Sequence, residues 1–370
     1  MKRVLLVSNN GQGFYNFKKE LLEVLLTQGL EVHFSVPNYE KLVRLVNAGA
    51  FYHELKVDRR GMNPLKDLDL ILQLKNVYKE VNPDIMILHT IKPNIYGSCL
   101  AMWMGKPYMN NITGLGSALQ EDNLLAKVIR KMYRFALKET KAVFFENVGN
   151  RDYFQKYEIA QEDKYIVVPG AGVNTSHYAR QKKFPEYKSS GKNVCFLYIA
   201  RVMKDKGIEE YLKAAEAVKK RYPEVRFQIL GYYDEDRYKL KVEQMEADGI
   251  LEYLGVSHDT RLQMSQADCI VLPSYHEGMS NVLLEGASFG LPLITSNVYG
   301  CKEAVEEGVT GFLCEPRDAK SLELALEKFL LLSEEERMEM GKLGRKKMIE
   351  NFDRKIVMKQ YLKCIESLIK

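Results

Sequence analysis

No stretch of the 370 residues reaches the ~18 to 20 uninterrupted apolar side chains that a membrane-spanning helix needs. The opening MKRVLLVSNN turns polar too soon for a secretory signal, so the chain is expected in the cytoplasm. Cysteine is sparse and scattered. Cys99, Cys195, Cys269, Cys301, Cys314 and Cys364 form no CxxC pair and have no histidine nearby at zinc-ligand spacing, and they read as reduced, mostly buried thiols. No repeat of solenoid length is present. With 46% hydrophobic and 28% charged residues the composition excludes disordered and fibrous classes. At roughly 100 to 200 residues per domain, the length predicts two domains.

Charge is divided unevenly. Residues 1 to 180 hold 24 Lys and Arg against 18 Asp and Glu, whereas residues 181 to 370 hold 30 against 31, so the halves carry +6 and −1. A basic N-terminal half suits a surface that meets something anionic, although a mild lysine excess also serves solubility.

Short apolar runs alternate with helix-length segments. The first, Val4 to Val7, breaks into Ser8-Asn9-Asn10-Gly11-Gln12-Gly13 and resumes as an amphipathic stretch from Phe14 to Leu26, which predicts strand, turn and helix. Further strands are expected at Glu31 to Val36, Asp84 to Leu88, Pro107 to Asn111, Lys141 to Phe145 and Tyr165 to Val168. Pro169 to Lys192, rich in Gly, Lys, Ser and Pro, reads as a linker. A second alternation follows, with strands at Val194 to Ile199, Val225 to Leu230, Leu251 to Leu254, Cys269 to Leu272, Pro292 to Thr295 and Gly311 to Cys314. The fold class is α/β, two doubly wound halves: an N-terminal domain over 1–175, a C-terminal one over 190–350, and a helix over 351–370 expected to pack back on the first.

In such sheets ligands sit beyond the carboxyl ends of the strands, so polar residues just after an apolar run are candidates. Three places qualify. After Leu272 comes Ser274-Tyr-His-Glu277-Gly-Met-Ser280-Asn281-Val282-Leu283-Leu-Glu285. Ser280 and Asn281 are good N-caps, and the free N–H groups of a helix starting there would suit a diphosphate. Glu277 and Glu285 could accept hydrogen bonds from sugar and ribose hydroxyls, or be solvated carboxylates on a capped core helix. After Ile199, Arg201 and Lys206 stand on a turn where they either neutralise a departing diphosphate or are merely solvated. After Leu88, His89 and Lys92 face Asn9, Gly11 and Gly13 at the neighbouring strand end; His89 either meets a ligand or satisfies buried carbonyls. Gly11 and Gly13 would permit close backbone approach to a ligand. The third glycine and the acidic residue ~20 positions on are missing, which disfavours a nicotinamide cofactor.

Arg201 and Lys206, then Glu277-x7-Glu285, Gly290-Leu-Pro and Gly300-x2-Glu303, resemble the signature of the retaining glycosyltransferases of family four, over nearly the whole chain. The resemblance implies the GT-B fold, two Rossmann-like domains facing across a cleft, with the nucleotide-sugar held mostly by the C-terminal one. It implies that Arg201 and Lys206 contact the donor diphosphate, Glu277 the sugar hydroxyls and Glu285 the ribose, with His89 beside the reacting sugar. EGMSNVLLE, HTIKPN and NITGLGS are most similar to a subgroup that adds hexose or N-acetylhexosamine from a UDP-sugar to undecaprenyl-diphosphate-linked saccharides in bacterial capsule, O-antigen and N-glycan assembly. Ala200 departs from the glycine many relatives place before the arginine.

The family is metal-independent and needs no cofactor beyond the donor. Asp234-Glu235-Asp236 has the Asp-x-Asp form of metal-dependent transferases but reads here as a solvated helix start. Lys127, Arg130, Lys131, Arg134 and Lys138 recur at helical spacing beside an apolar stripe over 124–138; this helix lies either on an anionic membrane surface, at the inner face of the cell membrane, or against its own core. No nucleic acid partner is expected. Other readings are a transferase taking UDP-glucose or GDP-mannose to a soluble acceptor, a non-catalytic nucleotide-sugar-binding protein, and a sugar-nucleotide epimerase.

Overall fold

The computed structural model describes residues 1–58, 61, 63–119, 121–180 and 193–369. Two compact units result: Met1–Ala171 with Val357–Lys370, and Gly172–Ile356. The first holds a seven-stranded sheet of β1 (Arg3–Val7), β2 (Glu31–Val36), β3 (Phe51–Glu54), β4 (Ile85–His89), β5 (Tyr108–Ile112), β6 (Val143–Phe145) and β7 (Tyr165–Val167). Their order is 3-2-1-4-5-6-7 and every pairing is parallel. Its helices are α1 (Gly11–Thr27), α2 (Val43–Asn47), α3 (Pro64–Val81), α4 (Ser98–Trp103), α5 (Leu124–Ala136) and α6 (Val148–Lys156).

Alternation within β1 explains why both faces are covered. Val4 and Leu6 pack with Leu21, Leu22 and Leu25 of α1, whereas Leu5 and Val7 pack with Leu70, Leu74 and Tyr78 of α3. The order reverses between β1 and β4, the switch point beside which open sheets hold ligands.

The second unit repeats the plan with β8 (Cys195–Ile199), β9 (Arg226–Leu230), β10 (Glu252–Tyr253), β11 (Cys269–Leu272), β12 (Leu293–Ser296) and β13 (Gly311–Cys314) in the order 10-9-8-11-12-13. Helices α7 (Ile208–Arg221), α8 (Lys239–Ala247), α9 (Arg261–Ser265), α10 (Asn281–Phe289), α11 (Ala319–Leu330) and α12 (Glu334–Lys347) accompany it, followed by α13 (Arg354–Leu368). From α13, Val357, Tyr361 and Ile365 join the core of the first unit. The caps follow the sequence: Asp318 accepts from the N–H groups of Lys320 and Ser321, and Ser333 with Glu336 forms a reciprocal capping box.

Two expectations change. Strand β3 has no counterpart in the sequence reading: it is four residues at a sheet edge, with Phe51 about half exposed, so it lacks the buried apolar run that marks the others. The supposed linker is partly structured, because Val173 bridges Asp353, the Thr175 hydroxyl bonds the Asp353 carboxylate, and Gly172 at φ 67° lies against the Arg354 backbone. Residues 172–180 therefore belong to the second unit, and 181–192 lie outside the described residues.

Candidate functional site

In the second unit the strand ends mesh closely. Gly231, at φ 153°, stands where any Cβ would fall 1.8 Å from the Ala200 carbonyl oxygen, and its N–H bonds Gly255. The missing Cβ at Gly231 therefore lets the Ala200 carbonyl approach closely at this strand end. Beyond it, Lys204–Lys206 form a short 3₁₀ turn ended by Gly207 at φ 70°, where a Cβ would lie 2.0 Å from the Pro273 carbonyl oxygen. The buried Tyr198 hydroxyl meets the carbonyl oxygens of both Arg201 (3.3 Å) and Lys206 (3.2 Å), and the Tyr275 N–H bonds the Asp205 carbonyl at 3.0 Å. The turn is thus fixed from β8 and from the loop after β11.

Two ion pairs occupy this turn. Lys206 Nζ lies 2.5 Å from Glu277 Oε1, which also accepts from the fully buried Ser274 hydroxyl at 2.9 Å. Arg201 Nη1 lies 2.8 Å from Asp234 Oδ2. Asp234 is therefore no solvated helix start: its side chain is largely buried and holds Arg201, while the helical turn opens only at Asp236. Glu277 is locked from behind, since Gly300 at φ 85° puts its Cα where a Cβ would clash with the Glu277 backbone, and the Ser280 N–H bonds the Gly300 carbonyl at 2.8 Å.

Helix α10 starts at Asn281 with Ser280 in the N-cap position, but the Ser280 side chain makes no capping bond, contrary to the expected role of Ser280 and Asn281 as side-chain caps. The first backbone bond into the helix joins the Leu284 N–H to the Ser280 carbonyl. The N–H groups of Asn281, Val282 and Leu283 precede that bond, so at the amino end they are the donors open to an anion. The buried Asn281 Oδ1 and Glu303 Oε1 have no partner among the described residues. One turn into the helix, Glu285 accepts from the Tyr178 hydroxyl, and burial pushes its carboxyl up to about 7.

The first unit is built differently around its switch point. His89, ending β4, is only 2% exposed. Its Nδ1 faces Asn111 Nδ2 at 3.1 Å, the same amide reaches Glu146 Oε1 at 3.3 Å, and Nε2 has no partner among the described residues. Lys18 of α1 stands near, 3.5 Å from the Tyr361 hydroxyl. Burial, then the Lys18 charge, hold the His89 imidazole well below its ordinary range, while burial raises the Glu146 carboxyl. Thr90 follows at φ 71°, a conformation a β-branched residue rarely adopts. The Asn9 N–H bonds the Thr90 hydroxyl at 3.3 Å.

Two expectations fail here in detail, and the basic residues of 124–138 divide between the two readings left open for them. Gly11 and Gly13 do not leave space for a ligand: a Cβ at Gly11 would meet the Pro37 carbonyl oxygen at 2.1 Å, and at Gly13 the Asn10 amide that caps α1. Lys92 is turned to its own fold, 2.6 Å from Asp67 and 2.8 Å from the Gly61 carbonyl. Arg130 is buried, pairs with Asp122 at 2.6 Å and stacks on Tyr157, and Arg134 bonds the Tyr157 and Glu158 carbonyls, so two of the four basic residues on α5 are spent on local packing. Sequence reasoning gave no role to Ser274, Tyr178, Lys18, Asn111 and Glu146, and it took Asp234 for a solvated helix start. Two signals were available: Lys18 stands on the apolar stripe of α1 between Phe14 and Leu22, and Asn110-Asn111 interrupts a buried strand.

Two parallel sheets, each reversing order at its centre, with charged residues gathered at the strand ends of the second, define a two-domain GT-B architecture. Residues 3–147 match the family described as glycosyl transferase 4-like, and residues 179–347 match glycosyl transferases group 1. The chain belongs to these glycosyltransferases and is a transferase enzyme. It is 28% identical, over all of this chain and 99% of the other, to an N,N'-diacetylbacillosaminyl-diphospho-undecaprenol alpha-1,3-N-acetylgalactosaminyltransferase of Campylobacter jejuni. It is 25% identical to N-acetyl-alpha-D-glucosaminyl L-malate synthase of Bacillus anthracis, over 92% of this chain and 90% of that one. Among solved structures it superposes on a glycosyltransferase from Rickettsia africae with a TM-score of 0.82 at 18% identity, covering 100% and 99% of the two chains. Anabaena HepE in complex with UDP and glucose gives 0.80 at 15%, over 99% and 100%.

Proposed function

We propose that the protein moves a hexose or N-acetylhexosamine from a UDP-sugar to a hydroxyl of an undecaprenyl-diphosphate-linked saccharide, with retention at the anomeric carbon and without a metal ion. The observation that carries this is the turn Arg201–Lys206, which holds two cations at the strand ends, Lys206 against Glu277 in the loop that leads into α10 and Arg201 against Asp234. Leaving-group charge has its counterpart in Arg201, Lys206 and the N–H groups of Asn281, Val282 and Leu283. Glu277 positions the donor sugar, Glu285 takes the ribose hydroxyls, and His89 lies on the sugar side. The UDP donor is favoured by the HepE complex and the lipid-linked acceptor by the Campylobacter relative.

In the step proposed, the acceptor oxygen attacks C1 from the face the diphosphate leaves. The C1–O bond to the β-phosphate breaks, the new C1–O bond forms, and the acceptor proton passes to a phosphate oxygen. Arg201 and Lys206 stabilise the charge that develops there.

The acceptor's lipid anchor places the enzyme at the inner face of the membrane. No described helix is long and apolar enough to cross a bilayer. Helix α5 supports peripheral docking: Leu124 is 78% exposed, Val128 and Phe135 also face outward, and Lys127 and Lys131 flank them.

The test incubates the protein with UDP-sugars and an undecaprenyl-diphosphate-linked disaccharide, with and without EDTA. UDP release coupled to a longer product in the organic phase is expected, unaffected by the chelator, with an axial anomeric linkage by NMR. No UDP release from any donor overturns the reading. The malate-synthase relative favours a second one, a soluble acceptor, in which case the product stays in the aqueous phase.

A further inference from the structure

One residue touches both ends of the loop that carries Glu277 into α10. Gly300, after β12 and at φ 85°, sets its Cα so close to the Glu277 backbone that a Cβ would lie 2.5 Å from the Glu277 carbonyl oxygen. Its own carbonyl accepts from the Ser280 N–H at 2.8 Å. The Gly300 N–H is held in turn, because Glu303 Oε2 accepts it at 2.7 Å. Glu303 reaches back three residues to do so, as the glutamate of a capping box does, from a single helical turn, Lys302–Ala304, that packs against α10. Cys301 and Ala304, on either side of this turn, are fully buried, so packing fixes the backbone that carries the carboxylate. Oε1 of Glu303 has no partner among the described residues, which leaves the Gly300 N–H as the bond that orients the group.

We infer that Glu303 is a positioning residue for the donor sugar: through Gly300 it fixes where Glu277 stands. The inference rests on the reading proposed above, in which Glu277 receives the sugar hydroxyls, and places a further residue behind it. At its carboxylate, Glu277 is gripped by Lys206 and the Ser274 hydroxyl, which orient the side chain; Gly300 sets the backbone from which that side chain springs. A group that reads a ligand must be held to within about 0.5 Å of its working place, so the backbone grip matters as much as the side-chain one. The diphosphate is provided for separately. The N–H groups of Asn281, Val282 and Leu283 belong to a helix anchored by the fully buried Leu283, Leu284 and Ala287, and they keep their place without Glu303. Loss of Glu303 therefore falls on the sugar and spares UDP. Charge offers a competing account, since the charges of Glu306 and Glu303 also bear on the half-buried Lys347 ammonium of α12. Substitution separates the two, because a hydrogen bond and a charge need not be lost together.

The full-length protein is titrated calorimetrically with UDP, UDP-glucose and UDP-N-acetylgalactosamine, which reads each affinity and the fraction of competent sites; the variants are then titrated with UDP and the sugar-nucleotide wild type binds more tightly. Glu303→Gln keeps an acceptor oxygen for the Gly300 N–H without the charge, whereas Glu303→Asp keeps the charge but is one methylene short. Glu303→Asp and Glu303→Ala should weaken sugar-nucleotide binding by roughly tenfold or more, with UDP within about twofold of wild type, and Glu303→Gln should stay within roughly threefold of wild type for both. If Glu303→Ala folds poorly, the Gln and Asp pair still decides. Sugar-nucleotide affinity unchanged in Glu303→Asp and Glu303→Ala, or lost in equal proportion with UDP, overturns the inference. So does a fall in Tm and in the competent fraction with both affinities intact, which makes Glu303 structural only. Rescue by Asp but not by Gln makes the charge near Lys347 the cause and also overturns it. A wild type that binds neither sugar-nucleotide takes the inference down with the reading it rests on; a wild type that binds and transfers, beside unaffected variants, sinks the inference alone.

Discussion

Asp234 holds the Arg201 guanidinium at 2.8 Å, so the residue that looked like part of a metal-binding Asp-x-Asp is the partner of the cation proposed to face the diphosphate. Replacing Arg201 by Ala removes a charge aimed at the leaving group and should lower kcat by on the order of a hundredfold or more. Asp234→Asn keeps the arginine but loosens it. One charge-assisted hydrogen bond is worth ~1.5 to 3 kcal/mol, so a kcat loss of roughly ten- to a hundredfold is expected with donor KM little changed. Steady-state UDP release measures both, and near-normal turnover of Arg201→Ala rules out the role.

The close approach at the strand ends predicts that Gly231→Ala destabilises the second unit. Its Cβ would stand 1.8 Å from the Ala200 carbonyl oxygen, and φ 153° is itself unfavourable for alanine. The strain alone costs about 1 to 3 kcal/mol, and relieving the clash must move the backbone that carries Arg201. Both a lower Tm and a reduced kcat are expected, whereas Gly290→Ala, at φ 90° with no atom in its way, should lower Tm less.

His89 is predicted to stay neutral through the physiological range. With the Asn111 amide donating to Nδ1, the proton resides on Nε2, which is therefore a hydrogen-bond donor and not a base. Its folded pKa lies below the unfolded one, so the unfolded state binds more protons as pH falls, and stability is lost on acidification below about 6.5. Nitrogen-15 NMR should find the Nε2–H tautomer with no titration between pH 6 and 8, and His89→Gln should lose less Tm than wild type between pH 7.5 and 5.5. An imidazole titrating near its ordinary pKa contradicts this.

Most of the strands were legible because parallel strands buried on both faces are continuous apolar runs, and Cys269–Leu272 and Gly311–Cys314 have the bounds read from the sequence. The edge strand β3 escaped because only an interior strand must be apolar throughout. At the site, strand-end position located Arg201, Lys206 and Glu277, whereas their partners were not visible: Asp234 lies 33 residues from Arg201 and Glu277 lies 71 from Lys206, and only the order of β8, β9 and β11 brings them together. The glycines misled for a related reason. A sequence shows that a Cβ is absent at Gly11 but not that Pro37 fills the space.

Glu285 gives the last prediction. Burial raises its carboxyl from 4.5 to about 7 despite the Tyr178 hydroxyl that lowers it. The folded state therefore binds more protons than the unfolded one between these values, and stability falls as pH rises through that window, by ~3 kcal/mol if the whole shift is expressed. Glu285→Gln, which can still accept from Tyr178, removes this loss, so its Tm should exceed that of wild type at pH 8 and approach it at pH 5. Donor affinity should run the other way. Only the carboxylate offers enough lone pairs for Tyr178 and two ribose hydroxyls, so wild-type donor KM should rise as pH drops through about 7. In Glu285→Gln the KM should be higher throughout and flat in pH; a variant that retains the wild-type pH dependence removes Glu285 from the ribose.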